Sequence, residues 1–209
     1  GMNSALTPWM YSKIKKGDIR SMRKVLQLLS VVVVGIAVAL MLISPELVLI
    51  FGSPKYREAV YVIPPVAASV FFIFIYNILS MPQFYYEKTQ FLMAASMAAA
   101  GANVVLNFIF IRLFGYIAAG YTTLACYMLY SVGHYIVSKR ILVNEGIQEN
   151  LMNPGFLLAC SVFLIGASII CNLIFPYRIL RYAILLASAG LVFWKKELLL
   201  KTMADIRKK

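Results

Sequence analysis

Asn103 and Asn107 stand four residues apart in an otherwise apolar run, NVVLNFIFIRLFGY, residues 103 to 116. A carboxamide moved into an apolar medium costs roughly 2–7 kcal/mol unless it is hydrogen-bonded. At i and i+4 the two amides share one helix face. They can bond a neighbouring helix, or they can contact a polar substrate. Packing is the first reading, because AASMAAAGA, residues 94 to 102, precedes them on the same helix. There Ala95 with Ala99, and Ala98 with Ala102, make small-xxx-small pairs that let helices approach closely. A hydrogen bond across such a contact contributes only about 0.6 kcal/mol on average. Substrate contact is the second reading, since polar groups within spans mark functional sites by default.

Tyr127, Tyr130 and His134 form a second candidate group, at i, i+3 and i+7 on one helix face. Aromatic rings stack on sugars, and histidine can hold a proton. A stripe of this spacing is also an ordinary packing face. These five residues are the candidate substrate contacts. No trio of nucleophile, base and orienter is visible. His134 is the single histidine and has no carboxylate beside it in sequence. Glu46, Glu58 and Glu87 are the carboxylates that would have to converge for paired acid–base work. There is no glycine-rich phosphate loop and no metal-ligand spacing, so neither an enzyme nor a cofactor is expected. Cys126, Cys160 and Cys171 all lie in apolar runs and read as small buried hydrophobes.

The elements that carry these residues are membrane helices. Of 209 residues, 62% are hydrophobic and 13% charged, against about 25% charged in soluble domains. The net charge of +12 would point to nucleic acid in a soluble protein. Here the cations lie between long uncharged runs, so membrane orientation accounts for them and no nucleic-acid partner is expected. Runs free of Asp, Glu, Lys and Arg extend over 25–45 (apolar on to Phe51), 59–86, 89–111, 113–138 and 150–177. A shorter run, 182–194, can span if Arg181, Lys195 and Lys196 snorkel outward. Six spans are expected, making an all-α integral membrane protein. With both ends on one side, 15 Lys and Arg lie on the side of the termini and 5 opposite. That bias orients both termini to the cytoplasm.

Pro64 and Pro65 fall within the second run and are expected to kink it. Pro45 and Glu46 lie near the outer end of the first run. Glu46 either reaches interfacial water or sits in the first turn of a fresh short helix begun by Pro45. The tail KKELLLKTMADIRKK is basic and amphipathic, either a solvated end or a segment lying on anionic headgroups. Gly1 before Met2 reads as the residue left by tag removal. The short apolar piece Ala5 to Tyr11 reads as the end of a helix whose beginning is missing.

SPELVLIFGSPKYREAV, residues 44 to 60, resembles the outer end of a span in the polysaccharide-exporter branch of the multidrug/oligosaccharidyl-lipid/polysaccharide flippase superfamily. The residues that carry the likeness are Pro45, Glu46, Gly52, Tyr56 and Ala59. EKTQFLMAASMAAAGANVVLNFIFIRLFGYIAAGYTTLACY, residues 87 to 127, is similar to the family's next stretch, with its Asn-xxx-Asn pair and Phe-Gly turn. Ala118 stands where many relatives carry glycine. ALTPWMYSKIKKGD, residues 5 to 18, resembles the loop that closes the family's eighth helix. The likeness covers residues 5 to about 142.

The resemblance implies two six-helix bundles related by pseudo-symmetry, of which this chain holds the second plus two extra helices. Residues 1–24 are then the end of a preceding helix and a basic loop, 25–142 four helices of the second bundle, and 143–209 a loop, the extra pair and the tail. The implied function is translocation of undecaprenyl-pyrophosphate-linked oligosaccharide for O-antigen or capsule export in a bacterial inner membrane. In such flippases the extra pair can form a groove for the isoprenoid tail. The implied partners are membrane lipids, the lipid-linked glycan and a polysaccharide polymerase. Two alternatives stay open: a drug/cation antiporter of the same fold, and a non-transporting membrane accessory protein.

Overall fold

The computed structural model describes residues 2–52 and 54–194; the basic tail lies outside the described residues. Among the described residues seven α-helices follow one another: α1 Met2–Lys15, α2 Ile19–Phe51, α3 Ile63–Tyr85, α4 Gln90–Phe114, α5 Ala118–Asn144, α6 Pro154–Ile174 and α7 Arg178–Trp194. A 3₁₀ segment, Pro54–Val62, joins α2 to α3. The described residues contain no strand.

Local chemistry sets most boundaries. Asp18 caps α2 by accepting from the Ser21 amide at 3.3 Å, and it also pairs with Lys13. Asn153 caps α6 through the amides of Gly155 and Phe156, and Pro154 occupies the first turn, where its missing N–H costs nothing. Gly115, at φ +75°, ends α4. Glu87 ends the α3 turn at φ +57°, a conformation that glycine adopts without strain.

Two proline expectations are corrected. Pro64 and Pro65 do not interrupt α3: they lie in its first turn, where the 3₁₀ segment passes into α-helix inside the Arg57–Tyr85 stretch. Pro45 does not begin a new helix either, because α2 runs through it for 33 residues, about 50 Å of axis. Pro45 cannot donate to the Met41 carbonyl four residues back, but the Ser44 hydroxyl donates to that carbonyl at 2.8 Å. A neighbouring hydroxyl thus supplies the bond that proline removes, the usual remedy in an apolar medium.

Where six spans are expected, four helical stretches among the described residues are long and apolar enough to cross a membrane: Ile19–Phe51, Arg57–Tyr85, Gln90–Phe114 and Pro154–Ile174. α5 has 27 residues but is diluted by Thr, Ser, Tyr, Gly and His. The described part of α7 has 17 residues and runs to Trp194, the last described residue.

α3 is the central helix, packed by α2, α5, α6 and the 3₁₀ segment. α5 buries polar groups alongside apolar ones such as Leu124, Ile141 and Leu142. It buries Thr122, Ser131, His134 and Ser138 and exposes Leu129, Val132 and Ile136. In lipid this is the economical arrangement, since polar groups need partners and alkyl groups do not. α5 approaches the start of α3 tightly at Gly120, where a Cβ would lie 2.8 Å from Pro65 Cγ and 2.9 Å from the Val62 carbonyl oxygen. α4 packs along α5 and buries none of its residues. Of the small pairs on α4, Ala95 and Ala99 are half-buried, while Ala98 and Ala102 are exposed.

Candidate functional site

α4 turns a stripe of half-buried residues, among them Leu92, Ala95, Ala99, Asn103, Leu106 and Asn107, toward α5. Asn107 Nδ2 donates to Asn103 Oδ1 at 2.9 Å, and the Thr122 hydroxyl of α5 donates to Asn107 Oδ1. The expected interhelical hydrogen bond is therefore formed by Asn107 alone. Asn103 bonds only its own helix among the described residues. The single Thr122 proton is shared between Asn107 Oδ1 and the Ala119 carbonyl at 3.0 Å, and the Asn103 amide nitrogen has no partner among the described residues.

Tyr127, Tyr130 and His134 do gather, and Tyr76 of α3 joins them. The Tyr76 ring lies 6.2 Å from Tyr127, 4.7 Å from Tyr130 and 5.9 Å from His134, centroid to centroid. Tyr130 meets His134 edge-on at 4.5 Å, and Phe91 of α4 meets it edge-on at 5.5 Å. The Ser96 hydroxyl of α4 donates to the Leu92 carbonyl at 2.8 Å. A hydroxyl has one proton, so Tyr130 must be the donor in its 2.7 Å bond with Ser96. Tyr130 keeps acceptor lone pairs, and the Tyr127 phenol has no hydrogen-bond partner among the described residues.

These side chains line a groove of about 450 Å³ between α3, α4 and α5, with Tyr76, Ser96, Asn103, Thr123, Tyr127 and Tyr130 supplying its polar wall. Small-molecule sites typically measure roughly 300–1,000 Å³. Ala99, Ala100, Val104 and Cys126 complete the lining, which contains no Lys, Arg, Asp or Glu.

His134 lies beneath the groove, fully buried. Its Nδ1 is 2.7 Å from Gln83 Nε2, and the same amide nitrogen donates to the Leu79 carbonyl at 3.2 Å. An amide oxygen could not sit against that carbonyl, so the nitrogen assignment holds and Nδ1 is an acceptor. The neutral ring then carries its proton on Nε2. His134 Nε2, Gln83 Oε1 and the Ser138 hydroxyl are all buried without partners among the described residues. His134 accordingly positions Tyr130 and does not line the groove itself.

A second, apolar groove of about 260 Å³ lies between α6 and the α3–α5 pair, with Phe72, Ile75, Val132, Leu157 and Leu158 in its walls. It runs beside α6 and not between α6 and α7.

The strongest polar contact is one that sequence reasoning placed wrongly. Arg181 was expected to snorkel outward; it is 2% exposed. Its guanidinium forks onto Glu46 of α2, Nη1 to Oε2 and Nη2 to Oε1, both at 2.8 Å. Nη1 also donates to the Leu42 carbonyl at 2.7 Å, and the Tyr182 hydroxyl donates to Glu46 Oε1 at 2.9 Å. The carboxylate offers its proximity because α2 continues past Pro45, and α7 brings the cation. Such a fork fixes geometry as well as charge. Glu58, at the start of the Arg57–Tyr85 stretch, accepts from Tyr116 at 3.1 Å, so these carboxylates are occupied in pairwise contacts.

Sequence reasoning missed Tyr76, Gln83, Ser96 and Thr122. Tyr76 and Gln83 are seven residues apart on one face of α3, so their spacing was available as a signal. No family model, no curated protein and no solved structure matches the chain.

Proposed function

We propose that this chain forms the second bundle of a membrane flippase that moves undecaprenyl-pyrophosphate-linked oligosaccharide from the inner to the outer leaflet, for O-antigen, capsule or related export. The observation that carries the reading is the uncharged polar groove on α3, α4 and α5. In a chain whose helices are long and apolar, a groove with unspent hydrogen-bonding groups is where a polar cargo would be handled. The ordered motifs at 44–60 and 87–127 support the same reading.

The chemistry required is binding and release. A lipid-linked glycan must carry its hydroxyls past the hydrocarbon, and a groove that replaces water hydrogen bonds lowers that barrier. Alternating exposure of the groove by rocking of two bundles would complete the cycle, with no covalent step. The apolar groove beside α6 suits a hydrocarbon chain, which needs only non-polar walls. The bacterial inner membrane with cytoplasmic termini is the location that the 15-to-5 distribution of cations favours. The partners of this reading are membrane lipids, the glycan carrier and a polysaccharide polymerase.

The test is complementation of a bacterial strain lacking its lipid-linked oligosaccharide flippase. The whole reading frame that contains this chain should restore surface polysaccharide, and the 209 residues alone should not. A membrane-inserted, stably expressed protein from the whole frame that restores none would refute the assignment, as would export by the 209 residues alone.

A further inference from the structure

We infer that the α3–α4–α5 groove is selective for uncharged sugar rings, and that it excludes both anionic sugars and organic cations. This rests on the transport reading above and narrows it to a class of cargo.

The argument is one of charge and donor inventory. An anionic ligand such as a uronate or a phosphate needs a Lys or Arg against it, or a cluster of N–H donors. The groove has neither cation among its lining residues, and Asn103 supplies its only carboxamide. A buried organic cation is favoured by aromatic faces, which three tyrosines do provide. It is also normally matched by a carboxylate, and none lines the groove. The two uncommitted donors of Asn103 would face such a cation with partial positive charge. A sugar ring fits both halves of the wall. Its C–H faces lie against Tyr76, Tyr127 and Tyr130, and its hydroxyls meet donors at Asn103, acceptors at Tyr130, and a phenol at Tyr127 that can do either.

The support behind the wall is built for a fixed geometry. Tyr130 is held by Ser96 on one side and by the His134 ring on its edge, and His134 is held by Gln83. Rings held in this way present a preformed surface, which lowers the ordering cost of binding a weak ligand.

The experiment uses the 209-residue chain in lipid nanodiscs, labelled with 3-fluorotyrosine. Fluorine resonances of Tyr76, Tyr127 and Tyr130 are assigned through single Tyr→Phe variants, and Tyr182 serves as the remote control. The probes are methyl β-D-glucopyranoside, its uronate counterpart and tetraphenylphosphonium. Saturable shifts at the three groove tyrosines, and not at Tyr182, are expected with the neutral glycoside. The uronate should bind at least tenfold more weakly, and Asn103→Leu should weaken the glycoside at least threefold without changing the fold. Equal binding of the uronate, shifts with the phosphonium alone, or no shift with any probe each overturns the inference. Complementation reads the other claim separately. Selective glycoside binding with failed export refutes the transport reading only, and export without glycoside shifts refutes the selectivity only.

Discussion

The contact between Glu46 and Arg181 makes an unequal pair of single-site predictions. Replacing Glu46 with Leu strands a guanidinium whose side chain is 3% exposed, with only the Leu42 carbonyl left to it. Removing one partner of a buried pair typically costs 3–5 kcal/mol, so about 4 kcal/mol is expected for Glu46→Leu. Replacing Arg181 with Met strands a carboxylate that is 21% exposed and still accepts from Tyr182. Water and Tyr182 relieve that charge, and about 2 kcal/mol is expected. The double variant removes both charges and leaves volume of similar size, so it should fall within about 1 kcal/mol of the parent. Thermal unfolding in one detergent, followed by circular dichroism, orders the four proteins. The expected order of stability is parent and double variant together, then Arg181→Met, then Glu46→Leu. Losses that simply add in the double variant would show that the two groups are not coupled, and the reasoning would fail.

Three further outcomes follow from single contacts. Gly120→Val should destabilise by about 1–3 kcal/mol, because a side chain there meets the Val62 backbone carbonyl and the Pro65 ring, which is closed onto its own backbone nitrogen, and neither yields cheaply; an unchanged melting temperature would contradict the close approach. Glu87→Gly should raise stability by about 1 kcal/mol, since its φ of +57° suits glycine, and a lower melting temperature would refute the strain argument. Asn103→Leu with Asn107→Leu should lower stability by about 1 kcal/mol through the lost bond to Thr122, measured against Thr122→Val in a double-mutant cycle; zero coupling between Asn107 and Thr122 would remove the contact.

Some of this was legible in the sequence, and the reason differs from element to element. Helix positions follow from uncharged runs, and α4 and α6 fall close to runs 89–111 and 150–177. The face shared by Tyr127, Tyr130 and His134 follows from helical period, and the three do lie together. What period could not supply is depth. His134 is buried against Gln83 while Tyr127 and Tyr130 open on a groove, and that distinction depends on where α3 sits. The prolines misled because their effect depends on register: at a helix start they are free, and after Ser44 the broken bond is replaced. Arg181 misled for a different reason. Its partner lies 135 residues away, so nothing local distinguishes a snorkelling arginine from a paired one.

The polar side chains of the apolar helices fall into three degrees of satisfaction, and the ordering bears on function. Glu46 and Arg181 are the most fully engaged: the fork, the Leu42 carbonyl and the Tyr182 hydroxyl use all but Arg181 Nε, which is buried without a partner among the described residues, and the contact joins α7 to α2. Gln83 and His134 are half closed, joined at Nδ1 yet each leaving one buried atom unmatched. Asn103, Tyr127 and Tyr130 are open, with hydrogen-bonding capacity turned into the groove. Groups of the third kind have hydrogen-bonding capacity that the helices do not use, and a polar ligand in the groove would meet it. The half-closed pair lies between the two, under Tyr130, and ties the groove to the α3–α5 seam. A displacement of Tyr130 would reach His134 through the edge-on ring contact at 4.5 Å, and from there Gln83 on α3.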